Sequence, residues 1–268
     1  GIISPWNNIF STRMEVNEMW NLFKSDVYRL LHSRFFFVLT LLYTLMTILL
    51  VSTEGVIVSN TSFASFDGRT STLADFLAFL PKNAIFLFFV FLAYILFLSE
   101  EYQSRYVKSI YPFFQRKEKL IFARIMTFAA IWCLYILIGV LWSSFWLCAI
   151  AGRTGTLILP DYLLFLLAQL LCAEMIALIL SLLIHIIGGK VLPILFMMFY
   201  SFGAIFLLLS AAGTYFEIGC SKYLPYYLSG ALPLTAESGP YLQLFGIIGL
   251  LTILAFCADL LVLRKKDL

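Results

Sequence analysis

Ionisable residues are scarce in this chain, and those inside its apolar runs are the first candidates for chemistry. Glu174 stands near the middle of the run from Tyr162 to Ile187, and His185 stands near its end. An acid at membrane depth is a functional candidate by default. The other reading is an acid kept protonated by burial, or one hydrogen-bonded at a helix contact. Both readings of Glu174, substrate-pathway residue and structural acid, stay open on the sequence alone. His185 lies eleven residues further on, about 16 Å along a helix, so the spacing predicts that the two do not pair. Asp259 lies shortly before Arg264 and Lys265, and a local ion pair accounts for it.

Most catalytic constellations are missing from the sequence. There is no G-x-x-x-x-G-K-[ST]: Gly189-Lys190 lacks both the upstream glycine and the following hydroxyl, so no P-loop cradles a nucleotide. No G-x-S-x-G occurs. Glu100-Glu101-Tyr102-Gln103-Ser104-Arg105 matches the E-E-x-x-x-R pattern of the CAAX-processing intramembrane proteases. That family also needs histidines in F-x-x-x-H and H-x-x-x-N patterns, and the residues four before His185 and His32 are Ser181 and Tyr28. The set is incomplete, and the protease reading is rejected. The five cysteines, Cys133, Cys148, Cys172, Cys220 and Cys257, show no C-x-x-C or Cys/His spacing, so no metal site is expected. The chain reads as non-catalytic.

The elements that would position these residues are long apolar helices. Of 268 residues, 62% are hydrophobic and 12% charged, and mean hydropathy is +0.96. A water-soluble domain of this length needs more polar surface. The net charge of +3 is too small to argue for nucleic acid. A helix needs about 20 apolar residues to cross the hydrocarbon core, and six runs qualify: 35–53, 83–99, 125–151, 162–187, 191–216 and 241–263. Runs this long exclude a β-barrel. The fourth run tolerates Glu174. Its sixteen Leu, Ile and Phe residues each favour insertion by roughly 0.3–0.6 kcal/mol, against on the order of 3 kcal/mol for one central acid. The expected fold is therefore an all-α membrane protein with six transmembrane helices in a single domain, residues 20–268, behind an N-terminal tail, 1–19. Met14 could be a natural start, so residues 1–13 are set aside from functional reasoning.

Charge placement predicts the orientation. With the N-terminus in the cytoplasm, the inner set holds fourteen basic residues and the outer set four: Arg69, Lys82, Arg153 and Lys222. The positive-inside rule then puts both termini inside. Ahead of the first span, Trp20, Phe23, Val27, Leu30 and Leu31 recur at spacings of three and four, with Lys24, Asp26, Arg29 and His32 on the other face. This predicts an amphipathic helix over 20–34 lying in the inner interface, as an anchor or a partner contact. The outer loop 217–240 keeps Tyr223, Leu224, Tyr226, Tyr227 and Leu228 among its prolines and glycines, which predicts a folded loop dipping into the interface. The loop 52–82 is more polar. Its Asn60-Thr61-Ser62 sequon is the kind that chance supplies.

The inner loop from Glu100 to Arg124 reads EEYQSRYVKSIYPFFQRKEKLIFAR. A solvated topology anchor needs its charges but not its aromatics, whereas a protein-docking segment needs both. The sequence predicts that residues before Pro112 can form a short helix, which the proline should end.

These residues resemble the membrane subunit of type 2 ATP-binding-cassette exporters. Members often read E-E-Y-x-x-G-Y-x-K-N-I, followed by a proline, an arginine, an apolar pair and A-K. Glu100, Glu101, Tyr102, Tyr106, Lys108, Ile110, Pro112, Arg116, Leu120, Ile121 and Ala123-Arg124 match. Arg105 and Ser109 stand where glycine and asparagine are usual, and the Pro112-to-Arg116 spacing is one residue longer. The resemblance covers about 25 residues in motif and residues 20–268 in topology. It implies a multi-pass permease in a bacterial cytoplasmic membrane, paired with a second copy or a related permease, and two separate ATPase subunits that bind the ATP and Mg. It implies that Glu100, Glu101, Tyr102, Arg105, Tyr106, Lys108, Tyr111, Pro112 and Arg116 couple to those ATPases, with 103–111 as the docking helix. The E-E-Y and K-x-I variant looks most like permeases for amphipathic or antimicrobial peptides. A lipid or other small amphiphile is the alternative cargo, and an ion-coupled secondary transporter is the alternative machine.

Overall fold

A computed structural model describes residues 20–52, 56–58, 65–67, 70–103, 117–156, 158–215, 220–235 and 238–265. Residues 20–32 form α1. The chain breaks at Ser33, whose N–H donates to the Leu30 carbonyl at 3.1 Å, and restarts as α2, Arg34–Ser52. Because helical residues three and four apart share a face, α2 turns Phe36, Leu39, Tyr43 and Leu50 inward and leaves Phe37, Leu41, Leu45 and Leu49 exposed. Thr40, Thr44 and Thr47 return their hydroxyls to the carbonyls four residues back, at 2.8 to 2.9 Å. Their polarity is thereby absorbed within the helix.

Among the described residues, five helices are long and apolar enough to cross a membrane: Arg34–Ser52, Ala84–Glu101, Glu118–Ile150, Leu159–Ile187 and Gly239–Lys265. These belong to α2, α4 (Ala84–Gln103), α5 (Lys117–Ser143) with its π-helical extension Ser144–Ile150, α6 (Leu159–Ile187) and α10 (Ser238–Lys265). The chain is thus a multi-pass membrane protein by the length and apolarity of its helices. In its apolar stretch α4 is 67% buried, against 22% for α2 and 17% for α10. This makes α4 the central post of the bundle, packed on α2, α5 and α6. The aromatic core gathers around it. Tyr43 of α2 meets Phe86 and Phe89, while Phe128 of α5 stacks on Phe91.

The fifth expected span, 191–216, is broken. It comprises α7, Val191–Ser201, and α8, Ala204–Tyr215, and the two are bent by 69°. The bend falls at Gly203, whose φ of +72° an L side chain rarely adopts. Composition alone reads the same run as one span because the bend costs no apolar residue. A Cβ at Gly203 would also sit 3.1 Å from the Tyr226 hydroxyl oxygen. Gly203→Ala is expected to lower stability by about 1–3 kcal/mol in detergent unfolding. A change below about 0.3 kcal/mol would show that the bend is not held by this residue.

The segment between the first two spans is folded too. Val56–Val58 (β1) pairs antiparallel with Ser65–Asp67 (β2), with Ile57 opposite Phe66. A lone two-stranded ribbon is marginal in water. Here Phe66 is fully buried on Phe76 and Phe79, which come from α3 (Leu73–Phe79). Thr72 starts α3 through a capping box with Asp75. The later loop carries α9, Pro225–Ala231, whose Tyr226 is buried between Tyr200 and Phe206. The expectation of a folded 217–240 loop is met over residues 220–235. At this end of the bundle Lys82 donates to the Gly230 and Leu232 carbonyls, at 3.0 and 2.7 Å. Gln169 donates to the Ser229 carbonyl at 2.8 Å. Burial holds the Lys82 ammonium down at about 8.

Candidate functional site

Antiparallel helices bring the end of α4, the start of α5 and the ends of α6 and α10 to the same end of the bundle, where α1 crosses them. Each contributes a buried polar side chain. Glu101 comes from α4, Arg124 and Thr127 from α5, Ser181 and His185 from α6, and Asp259 from α10, with exposures from 0 to 4%. Asp26 of α1 is 2% exposed. Groups buried this deeply must be paired. Thr127 returns its hydroxyl to the Ala123 carbonyl at 2.9 Å, and the others, joined by Arg29 of α1, form one connected network.

Arg124 is its hub. Its guanidinium donates to Glu101 Oε2 at 3.3 Å and contacts His185 Nε2. Arg29 donates to Glu101 Oε1 at 2.9 Å, so the carboxylate is held by two guanidinium groups. Arg29 also stacks 5.3 Å over the Phe97 ring and lies 3.6 Å from Asp26 Oδ1. On the far side His185 Nδ1 meets Asp259 Oδ1, and Ser181 donates to Asp259 Oδ2 at 3.0 Å.

Donor and acceptor types then assign the histidine. Arginine only donates, so His185 Nε2 must accept from Arg124, the ring is neutral, and Nδ1 carries the proton toward Asp259. Ser181 bonds the carboxylate and not the imidazole. The three side chains therefore lack the serine-to-histidine hydrogen bond that activates a nucleophile. Their arrangement is that of an orienting strut between α6 and α10, which continues through Arg124 to α5, α4 and α1.

Two expectations are corrected here. Asp259 does not make a local ion pair with Arg264 or Lys265. It faces inward to α6, while Arg264 pairs with Glu118 at 2.6 Å on the exposed surface. Asp26 is not on the solvated face of α1. The face that packs inward is Leu22, Asp26 and Leu30, with Leu22 against Leu120 and Ala123, and Trp20, Tyr28 and Leu31 are exposed. The helix also ends at 32 and not 34. The sequence treats Asp26 as solvated because its partners lie on other helices. Burial, followed by the neighbouring Glu101 charge, pushes the Asp26 carboxyl up to about 7, against the lowering effect of Arg29 and Arg124.

Of the residues expected at the loop, Glu100 is half-buried and lines a small pocket with Leu30, Phe36 and Phe97. Glu101 joins the network, and Tyr102 lies in the last turn of α4. Arg105, Tyr106, Lys108, Tyr111, Pro112 and Arg116 lie outside the described residues. Glu174 is 5% exposed in the interior of α6, and neither of its carboxyl oxygens has a hydrogen-bond partner among the described residues. It is separate from His185, as the spacing predicts. Sequence reasoning missed Asp26, Arg29, Ser181, His185 and Asp259 as members of one site. One signal was present: Ser181 and His185 are four residues apart and so share a face of α6. Among the described residues no group of three or more metal-ligating side chains assembles. No family model matches the sequence, and no curated protein matches it.

Proposed function

We propose that this chain is the permease subunit of an ATP-driven type 2 ATP-binding-cassette exporter, moving an amphipathic or antimicrobial peptide out of a bacterial cell. Two separate cytoplasmic ATPase subunits would bind the ATP and Mg, and a second permease copy or a related chain would complete the pathway. Both termini would then be cytoplasmic, and the ion network would lie at the inner membrane face. One observation carries this reading. Glu101 and Arg124 flank the expected docking loop, and both enter the same buried network that holds α1, α6 and α10. A push on the loop therefore reaches the other helices through paired charges that are costly to separate. Cargo class rests on the loop motif and on the apolar, aromatic spans, which would suit a lipid as well.

The test is co-purification from the native host. An ATPase subunit is expected to accompany the chain, and Tyr106→Ala with Lys108→Ala is expected to release it and abolish ATP-dependent export. Purification with no ATPase, or full transport by that double variant, would sink the proposal.

A second reading has its own support. Ion-coupled transporters use broken helices and buried acids near the midplane, and this chain has the bent α7–α8 pair and Glu174. Transport that collapses with the ion gradient while ATP is held constant would favour it.

A further inference from the structure

Among the described residues the buried network holds more acid than base. Among the described residues, three carboxyl groups (Asp26, Glu101 and Asp259) face two guanidinium groups (Arg29 and Arg124). His185 adds no charge, because its Nε2 accepts from Arg124. With every acid ionised, these described groups carry one more negative than positive charge, and an ion without full pairing is strongly disfavoured inside a protein. A single proton removes the surplus.

The geometry selects the group that takes it. Glu101 receives both guanidinium groups, at 2.9 and 3.3 Å. Asp259 accepts from His185 and Ser181. Asp26 Oδ1 has no hydrogen-bond partner among the described residues. The nearest cationic atom that faces it is Arg29 Nη1 at 3.6 Å, and that nitrogen is closer to Glu101, at 2.9 Å. The charged groups acting on Asp26 from each packed element are Arg29 on α1 itself, Glu101 on α4 and Arg124 on α5. His185 of α6 and Asp259 of α10 stand behind Arg124.

We infer that Asp26 is a one-proton latch on α1: protonated, it lets α1 seat on α4 and α5, and ionised, it sets a second buried carboxylate against Glu101 and loosens the helix. The sign follows from linkage. Asp26 has an ordinary value of 3.8 and is pushed up to about 7 in the folded chain, first by burial and then by Glu101. Its contribution to docking is fully present below the lower value and is lost as pH rises through the upper one. The latch responds to pH on the side where α1 lies, which is the cytoplasm if the proposed function holds. In that setting alkalinisation would uncouple the interfacial helix from both flanks of the docking loop.

Hydrogen exchange of residues 20–32 tests it on the full chain in lipid nanodiscs, between pH 5.5 and 8.5, corrected for intrinsic rates. Wild-type protection is expected to fall on the order of tenfold between pH 5.5 and 7.5 and to level off above, since the extra proton is held only between the two values. Asp26→Asn is expected to stay protected throughout, since an amide keeps the shape and cannot ionise. Wild-type protection that is flat with pH overturns the latch. So does an Asp26→Asn chain that keeps the pH dependence, which would place the proton elsewhere. An Asp26→Asn chain unprotected at every pH would show that the carboxylate itself holds the helix, and overturns it too. The readout uses neither ATPase nor cargo, so its failure is distinct from failure of the exporter reading.

Discussion

Replacing Arg124 with methionine is expected to destabilise the bundle by about 3–5 kcal/mol, the range for removing one partner of a buried ion pair. The arginine is 2% exposed, and methionine refills much of its aliphatic stem. The loss is therefore electrostatic more than volumetric. Glu101 keeps only Arg29 of its two guanidinium donors, and His185 Nε2 loses the donor that fixes its tautomer. Removing the anion as well should recover part of the loss, since the buried carboxylate short of a donor is gone and Arg29, 26% exposed, still faces Asp26 at 3.6 Å. Arg124→Met with Glu101→Met is thus expected to be more stable than Arg124→Met alone. Arg264→Met is the control. Its pair with Glu118 is 58% and 41% exposed, and exposed pairs contribute about 0–1 kcal/mol. Denaturant unfolding in detergent measures all three. If Arg124→Met and Arg264→Met fall within about 1 kcal/mol of each other, the buried network is not a structural strut.

Glu174→Met is expected to act in the opposite direction, raising stability by about 1–3 kcal/mol. Its carboxyl is as buried as that of Glu101, yet both oxygens lack a partner among the described residues. A buried polar group without hydrogen bonds is a standing cost, and an apolar side chain of similar size removes it. Unfolding of Glu174→Met beside wild type decides this. A loss of 2 kcal/mol or more, within the range seen when a buried polar partner is deleted, would mean that the acid is bonded in the folded protein. Transport by the same variant separates the two readings of Glu174. A stabilised chain that no longer transports its cargo marks an acid kept at a cost for function, and a stabilised, active chain marks a structural remnant.

These two carboxyl groups show where sequence reasoning ends. Glu101 and Glu174 are both legible as ionisable residues at or near an apolar run. Whether each is paired depends on other helices. Glu101 lies 72 residues from Arg29 and 23 from Arg124, while Asp259 lies 74 from His185. Charge patterning along one helix sees only partners within a turn or so, so it pairs Asp259 with Arg264, five residues on, and turns Asp26 to solvent. The fold does neither, because packing of the spans against one another delivers closer, drier partners. The bend at Gly203 escapes for a similar reason. Apolarity reports that a segment can sit in lipid, and it is silent on direction.

Several features needed no tertiary information. A bilayer offers the backbone no hydrogen bonds, so each span must be a long, apolar, self-satisfied helix. That demand writes six apolar runs into the composition, and among the described residues five appear as unbroken candidate spans and the sixth as a bent pair. The existence of a helix before the first span and of a folded loop before α10 was likewise readable from local pattern. The tertiary structure alone decided that Asp26, Arg29, Glu101, Arg124, His185, Ser181 and Asp259 form one buried network across five helices. Such a network is a property of which helix ends meet, and the pairing of helix ends is set by packing in three dimensions.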